Sequence, residues 1–193
     1  MLKTKGLDWQ GLTSIGSQEF RCGYCGNTVA SDRGYYTGNK IEGHQGYIRI
    51  CPHCQGPTFT HGSNRLPGVS PGNEVGHLPA NIDALYREAR NCVAGSNFTA
   101  SVLISRKLLM NIAVAQGADP GKKFIEYVDY LAQKGYVPPN GRGWVDHIRK
   151  KGNEATHEIV LMSTVDAEEL VAFTEMLLKF IYEFPAKVPQ QNP

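Results

Sequence analysis

The sequence predicts a mainly α protein, an up-and-down helical bundle preceded by a small β module that carries four cysteines. Three observations predict it. From residue 79 onward, apolar residues recur at spacings of three and four, the period of helices with one buried face. Before residue 62 the chain is rich in glycine, tyrosine and turn residues, with short β-prone pieces such as residues 47–50, which excludes long helices. Four of the five cysteines stand in two close pairs within that first part.

Taken in order, residues 1–62 read as the β module, residues 63–78 as a linker and residues 79–187 as the helical domain. The linker "HGSNRLPGVSPGNEVGHL", from His61 to Leu78, is punctuated by Pro67, Pro71 and several glycines and shows no period. A first helix is expected over residues 80–94 and a second over 98–116, with Asn97 as N-cap, "AGS" as the turn between them, and Val102, Leu108, Leu109 and Ile112 as the buried stripe. A shorter helix over 122–134 stops at Gly135, and Pro138 and Pro139 keep the next loop from being helical. Residues 144–157 look helical. The last helix is expected from about residue 166, where "DAEE" resembles a capping box, to residue 184 before Pro185. Short connections between successive helices favour antiparallel neighbours, hence the up-and-down arrangement.

Hydrophobic residues make up 41% of the 193 and charged residues 20%, so the chain is an ordinary globular one rather than a disordered one. Twenty basic and eighteen acidic residues leave a formal charge of +2, too balanced to attract nucleic acid or membrane by bulk field. Residues 1–78 hold seven basic and five acidic residues, and residues 79–193 hold thirteen of each, so the basic preference lies in the β module. Without a signal-peptide pattern or an apolar run of about 20 residues, the expectation is a soluble cytoplasmic protein with no membrane partner.

"CGYCG" supplies Cys22 and Cys25, and "CPHCQG" supplies Cys51 and Cys54, with 25 residues between the pairs. A two-residue spacer lets both thiolates of a pair face one ion, and two such knuckles complete a tetrahedral shell. The pattern points to structural Zn2+ held by Cys22, Cys25, Cys51 and Cys54. Four thiolates leave no position for a reactive water, so metal catalysis is not expected. His53, inside the second knuckle, is expected to point outward, and Cys92 to fill the core.

A second candidate site lies in "IRKKGNEATH", residues 148–157. On a continuous helix Lys150 and His157, seven residues apart, fall within about 20° of each other, Asn153 lies near the same stripe, and Arg149 sits about 80° round. A cation, an amide and an imidazole in one place suffice for metal-independent RNA cleavage. The imidazole moves the 2'-hydroxyl or leaving-group proton, and the cation stabilises the phosphate. The plainer reading of the same residues is a solvated charged face with His157 packing or capping a helix end.

The segment "WVDHIRKKGNEATH", preceded by "ARNCVAGSNFTASVLISRKLL" and followed by a long apolar helix ending "FIYEFP", resembles the HEPN superfamily over about residues 79–185. Within it the chain is most similar to a function-unassigned branch found with restriction and phage-defence proteins, whose arginine and Gly-Asn-x-Ala-x-His read here as Arg149, Gly152, Asn153, Ala155 and His157. The resemblance implies a helical, commonly homodimeric domain, often a metal-independent endoribonuclease used as a toxin or antiviral effector. It makes His157 the catalytic imidazole, Asn153 a polar helper, and Arg149 or Lys150 the phosphate cation. Seven residues separate Arg149 from His157 where active members have about four to six, and the cation in register is Lys150, which lacks the bidentate guanidinium fork. Several branches are scaffolds. The sequence therefore carries two readings, an RNA-cleaving enzyme and a catalytically inactive zinc-ribbon adaptor that binds nucleic acid or a protein partner as a homodimer.

Overall fold

In a computed structural model the described residues are 4–38, 45–137, 143, 146, 148 and 161–188. They divide into two compact units, residues 1–70 with 94–96, and residues 71–93 with 97–193.

The first unit is a five-stranded antiparallel meander in the order β1-β2-β3-β4-β5. Its strands are β1 (Thr13–Arg21), β2 (Thr28–Tyr36), β3 (Gly46–Ile50), β4 (Pro57–His61) and β5 (Asn64–Leu66). This overturns the expectation of a mainly α chain. Among the described residues strand accounts for 19% and helix for 44%, an α/β chain with its sheet and helices in separate stretches. The strands escape a reading of periodicity because little apolar alternation supports them. The buried cluster of this unit is Phe20 with Cys22 and Cys51, flanked by Tyr24, Cys25, Val29 and Cys54. A sheet organised around sulfur needs no hydrophobic stripe. β1 also carries a register shift between Ser14 and Gln18, where Gly16 takes φ +74°, and β5 lies inside the stretch read as a linker.

The second unit contains α1 (Ala80–Ala94), α2 (Phe98–Ala115), α3 (Phe124–Gln133) and α4 (Thr164–Leu178). A π-helical turn, Lys179–Glu183, and a short α5, Phe184–Lys187, follow α4. Its core includes Tyr86, Leu109, Ile112, Leu131, Phe173 and Leu177, all fully buried. α2 is also long and apolar enough by composition to cross a membrane, which the sequence reading had not expected of any stretch. In this unit Val102, Leu108, Leu109 and Ile112 of α2 are buried in the core.

The Ser101 hydroxyl of α2 donates to the Ala89 carbonyl of α1 at 2.8 Å. α2 and α4 run parallel. The Met162 amide donates to Thr99 Oγ1 at 3.1 Å at their N-terminal ends, and Tyr182 hydrogen-bonds Gln116 at the other end. The rule that short links join antiparallel neighbours does not govern this pair, because residues 116–163 separate α2 from α4. α4 also starts two residues earlier than expected. Ser163 is its N-cap, accepting from the Asp166 amide at 3.2 Å, while the Asp166 carboxylate reaches back to the Ser163 amide at 2.9 Å.

A strap, residues 71–76, is fixed to this unit by two buried carboxylates. Glu175 accepts from the Asn73 amide and from Asn73 Nδ2, both at 3.0 Å, and Glu183 accepts from the Gly76 amide at 2.8 Å. Arg90 donates to the Pro71 and Gly72 carbonyls at 2.7 and 3.0 Å, and Tyr86 donates to the Asn73 carbonyl at 3.0 Å. Residues eight apart on an unbroken α-helix diverge by about 80°, but one residue absorbed in a π turn brings them to about 20°. The turn at Lys179–Glu183 thus puts Glu183 in line with Glu175, and both meet one strap.

Candidate metal centre

Two knuckles bring the cysteines together, one following β1 and the other following β3. In the first, the Cys22 amide donates to the Asn27 carbonyl at 2.9 Å and the Gly26 amide to the Cys22 carbonyl at 2.9 Å, with Gly26 at φ +72°. In the second, the Cys51 amide donates to the Gly56 carbonyl at 3.0 Å and the Gln55 amide to the Cys51 carbonyl at 2.8 Å. The left-handed residue there is Gln55, at φ +64°, so the glycine of "CPHCQG" is not the one that turns the chain. Gly56 serves a different need. A Cβ on it would stand 2.6 Å from the Tyr24 ring.

The four sulfurs lie within 4.8 Å of one another. Cys22 Sγ and Cys54 Sγ are 3.7 Å apart, and Cys25 Sγ and Cys51 Sγ are 3.8 Å apart. A tetrahedron with metal–sulfur bonds of about 2.3 Å has edges of about 3.8 Å. The cluster could therefore hold one metal ion, and its edges are consistent with zinc. All four are free thiols. Burial pushes the Cys22 thiol up to about 12 and raises that of Cys25. The Cys54 thiol moves down, because the burial that raises it is outweighed by the Gly56 backbone and the neighbouring thiols. A metal entering this cluster must displace protons, so its uptake is accompanied by proton release.

Three residues that the sequence reading passed over close the second knuckle. Thr4 donates to the Cys54 carbonyl at 2.8 Å, Trp9 Nε1 to the Gln55 carbonyl at 2.8 Å, and Gln55 Oε1 accepts from the Gly6 amide at 2.9 Å. The one legible sign of this was a tryptophan in the polar opening "GLDWQGL". His53 stays out of the cluster, with Nδ1 3.0 Å from Asn27 Nδ2, and Cys92 lies on α1.

Gly23 gives a direct test of the knuckle. A Cβ there would stand 2.4 Å from the Pro67 carbonyl oxygen and 2.5 Å from that of Gly68, both backbone atoms with little freedom to yield. Gly23→Ala should cost about 1–3 kcal/mol and weaken metal retention in competition with a chromophoric chelator. An unchanged metal affinity would show that the knuckle is less tightly held than its geometry implies.

The residues singled out for phosphate chemistry, Arg149, Lys150, Asn153 and His157, lie outside the described residues. Ile148, which opens their segment, is buried in the core of the second unit.

Sheet, cluster and helices together define a two-part protein, a four-cysteine metal-type module joined to a helical domain. The family described as "Domain of unknown function (DUF4145)" matches residues 87–192, more than half of the chain, and the protein belongs to that family. No HEPN family matches. Neither curated proteins nor solved structures gave a match.

Proposed function

We propose that the four-cysteine cluster is a structural zinc centre and that the protein is a non-catalytic adaptor, its zinc-held sheet docking a nucleic acid and its helical domain supplying the scaffold. One observation carries this reading: four thiolates within 4.8 Å fill a tetrahedral shell and leave no position for a substrate or a reactive water. The slight basic excess of residues 1–78 agrees with it. Protein purified without added metal should contain one zinc per chain, and the double variant Cys22→Ser, Cys54→Ser should contain none. Retention of zinc by that variant would place the metal elsewhere.

A second reading is favoured by the His157, Asn153 and Arg149 or Lys150 constellation and by the HEPN resemblance, which make the protein a homodimeric, metal-independent endoribonuclease. Incubating the zinc-loaded protein and His157→Ala with labelled RNA separates the two, with chelator added only at the level that removes free metal. The adaptor leaves the RNA intact in both samples. Cleavage by the parent and none by His157→Ala would replace the adaptor with the enzyme.

A further inference from the structure

The proposed adaptor requires a surface, and the register of the sheet supplies one. Tyr36 of β2 pairs with Tyr47 of β3, Tyr47 with Thr60 of β4, and Thr60 with Arg65 of β5, so these four side chains share one face. At about 4.8 Å per strand the row is about 14 Å long. Tyr36 is 55% exposed, and among the described residues its side chain has no ring, hydrogen-bond or ionic partner. Arg65 is exposed and donates to the Arg21 carbonyl at 3.3 Å through Nη1.

Beneath this row lies a cation that no carboxylate pairs among the described residues. Arg49, two residues along β3 from Tyr47 and therefore on the same face, is 5% exposed, with its guanidinium 4.7 Å from the Tyr47 ring centroid. Its Nε donates to Gln18 Oε1 at 3.0 Å, but its Nη1 has no partner, and neither has the hydroxyl of Thr58, its neighbour in register on β4. Among the described residues neither Arg49 nor Arg65 forms an ion pair with a carboxylate. Asp32, two residues along β2 from the Arg49 partner Gly34, is a diagonal neighbour of Arg49 at about 7–8 Å between Cα atoms, beyond ion-pair distance in this structure. A buried guanidinium without a counter-ion is costly to the fold, and its field, little screened by water, reaches the surface above it.

The opposite face has a different character. Its row is Tyr35, Ile48, Phe59 and Leu66, largely apolar, with Arg33 on the same face two residues along β2 from Tyr35. One face thus pairs the exposed Tyr36 ring with positive charge that forms no ion pair among the described residues, the two features that bind single strands by base stacking and phosphate attraction. We infer that the Tyr36–Tyr47–Thr60–Arg65 face binds single-stranded nucleic acid, with bases stacked on Tyr36 and phosphate held by Arg65 over the field of Arg49. This rests on the adaptor reading above.

The test is fluorescence anisotropy of a fluorescein-labelled, mixed-sequence RNA of about twelve nucleotides, titrated with full-length zinc-loaded protein across a range of salt. Tyr36→Ala should weaken binding about tenfold or more. Arg65→Ala should weaken it and lower the salt dependence by about 0.7 in log–log slope, the value for one phosphate of a single strand. Phe59→Ala, on the opposite face, should bind like the parent. Equal binding by the parent, Tyr36→Ala and Arg65→Ala would overturn the inference, as would an equal loss in Phe59→Ala or no binding by zinc-loaded parent at low salt. Zinc content, measured on the same samples, reports separately on the metal centre. RNA binding that depends on Tyr36 and Arg65 in a protein lacking zinc would uphold this face and remove only the zinc assignment.

Discussion

Cys51→Ser is expected to abolish metal retention and unfold the five-stranded sheet while α1 to α4 remain helical. The reason is the size of the core each unit owns. Among the described residues of the first unit the buried hydrophobic side chains are Phe20, Cys22, Ile50 and Cys51, and two of these belong to the cysteine cluster. Burying a phenylalanine and an isoleucine supplies about 1.5–3 kcal/mol each, against about 1–2 kcal/mol of backbone entropy for every residue ordered. Structural zinc in small modules contributes about 10–16 kcal/mol, so under the proposed zinc assignment an ion, not the apolar core, closes the balance. Losing one of four thiolates removes much of it and leaves three buried thiols around a gap. Amide NMR should show collapse of the dispersed strand signals, with the helical circular dichroism largely kept. A Cys51→Ser protein with an intact sheet would mean that the cluster is incidental.

Glu175→Ala is expected to destabilise the helical unit by about 3 kcal/mol. The carboxylate is 9% exposed and accepts from the Asn73 amide and side chain at 3.0 Å, with Tyr86 at 3.4 Å and Lys179 beside it. Alanine would remove the acceptor that the Asn73 amide, the Asn73 side chain and Lys179 share, and with it the tie between the strap and the helix. The same carboxylate predicts a pH dependence. Burial raises its pKa, but Lys179 and Asn73 outweigh that and hold it below the usual carboxylate range. A carboxylate with a depressed folded pKa contributes stability that is complete above the unfolded value of about 4.3 and is lost as pH falls through the lower folded value. Acid also protonates the cysteines, so the informative quantity is the difference between parent and Glu175→Gln. Urea titrations should show the parent losing its advantage over Glu175→Gln as pH drops below about 4. A constant difference across that range would show that Glu175 carries no such linkage.

What could be read from the sequence follows from how local each cause is. The knuckles are readable because both thiolates of a pair sit three residues apart, and the structure places Cys22, Cys25, Cys51 and Cys54 within 4.8 Å of one another. α1 begins and ends where the apolar period says, at Ala80 and Ala94, since its stripe Ile82, Tyr86, Ala89 and Val93 is a short-range pattern. The start of α4 was misplaced because Ser163 and Asp166 are both competent caps, and only the folded chain shows which hydroxyl or carboxylate meets which amide. The β module was expected but its strand bounds were not, for a chemical reason: "TVASDRGYY" alternates weakly because the buried cluster of its unit centres on cysteine sulfurs. The strap was hidden for a topological one, Asn73 and Glu175 being 102 residues apart.

The central claim is that a zinc ion organises the first unit, and hydrogen–deuterium exchange of the full chain before and after metal removal tests it most directly. The expected result is one zinc per chain, slow exchange in β2, β3 and β4 while the metal is bound, and complete exchange there within seconds of its removal, with the amides of α2 and α4 unchanged. Strand amides that stay protected after the last zinc has left would contradict it.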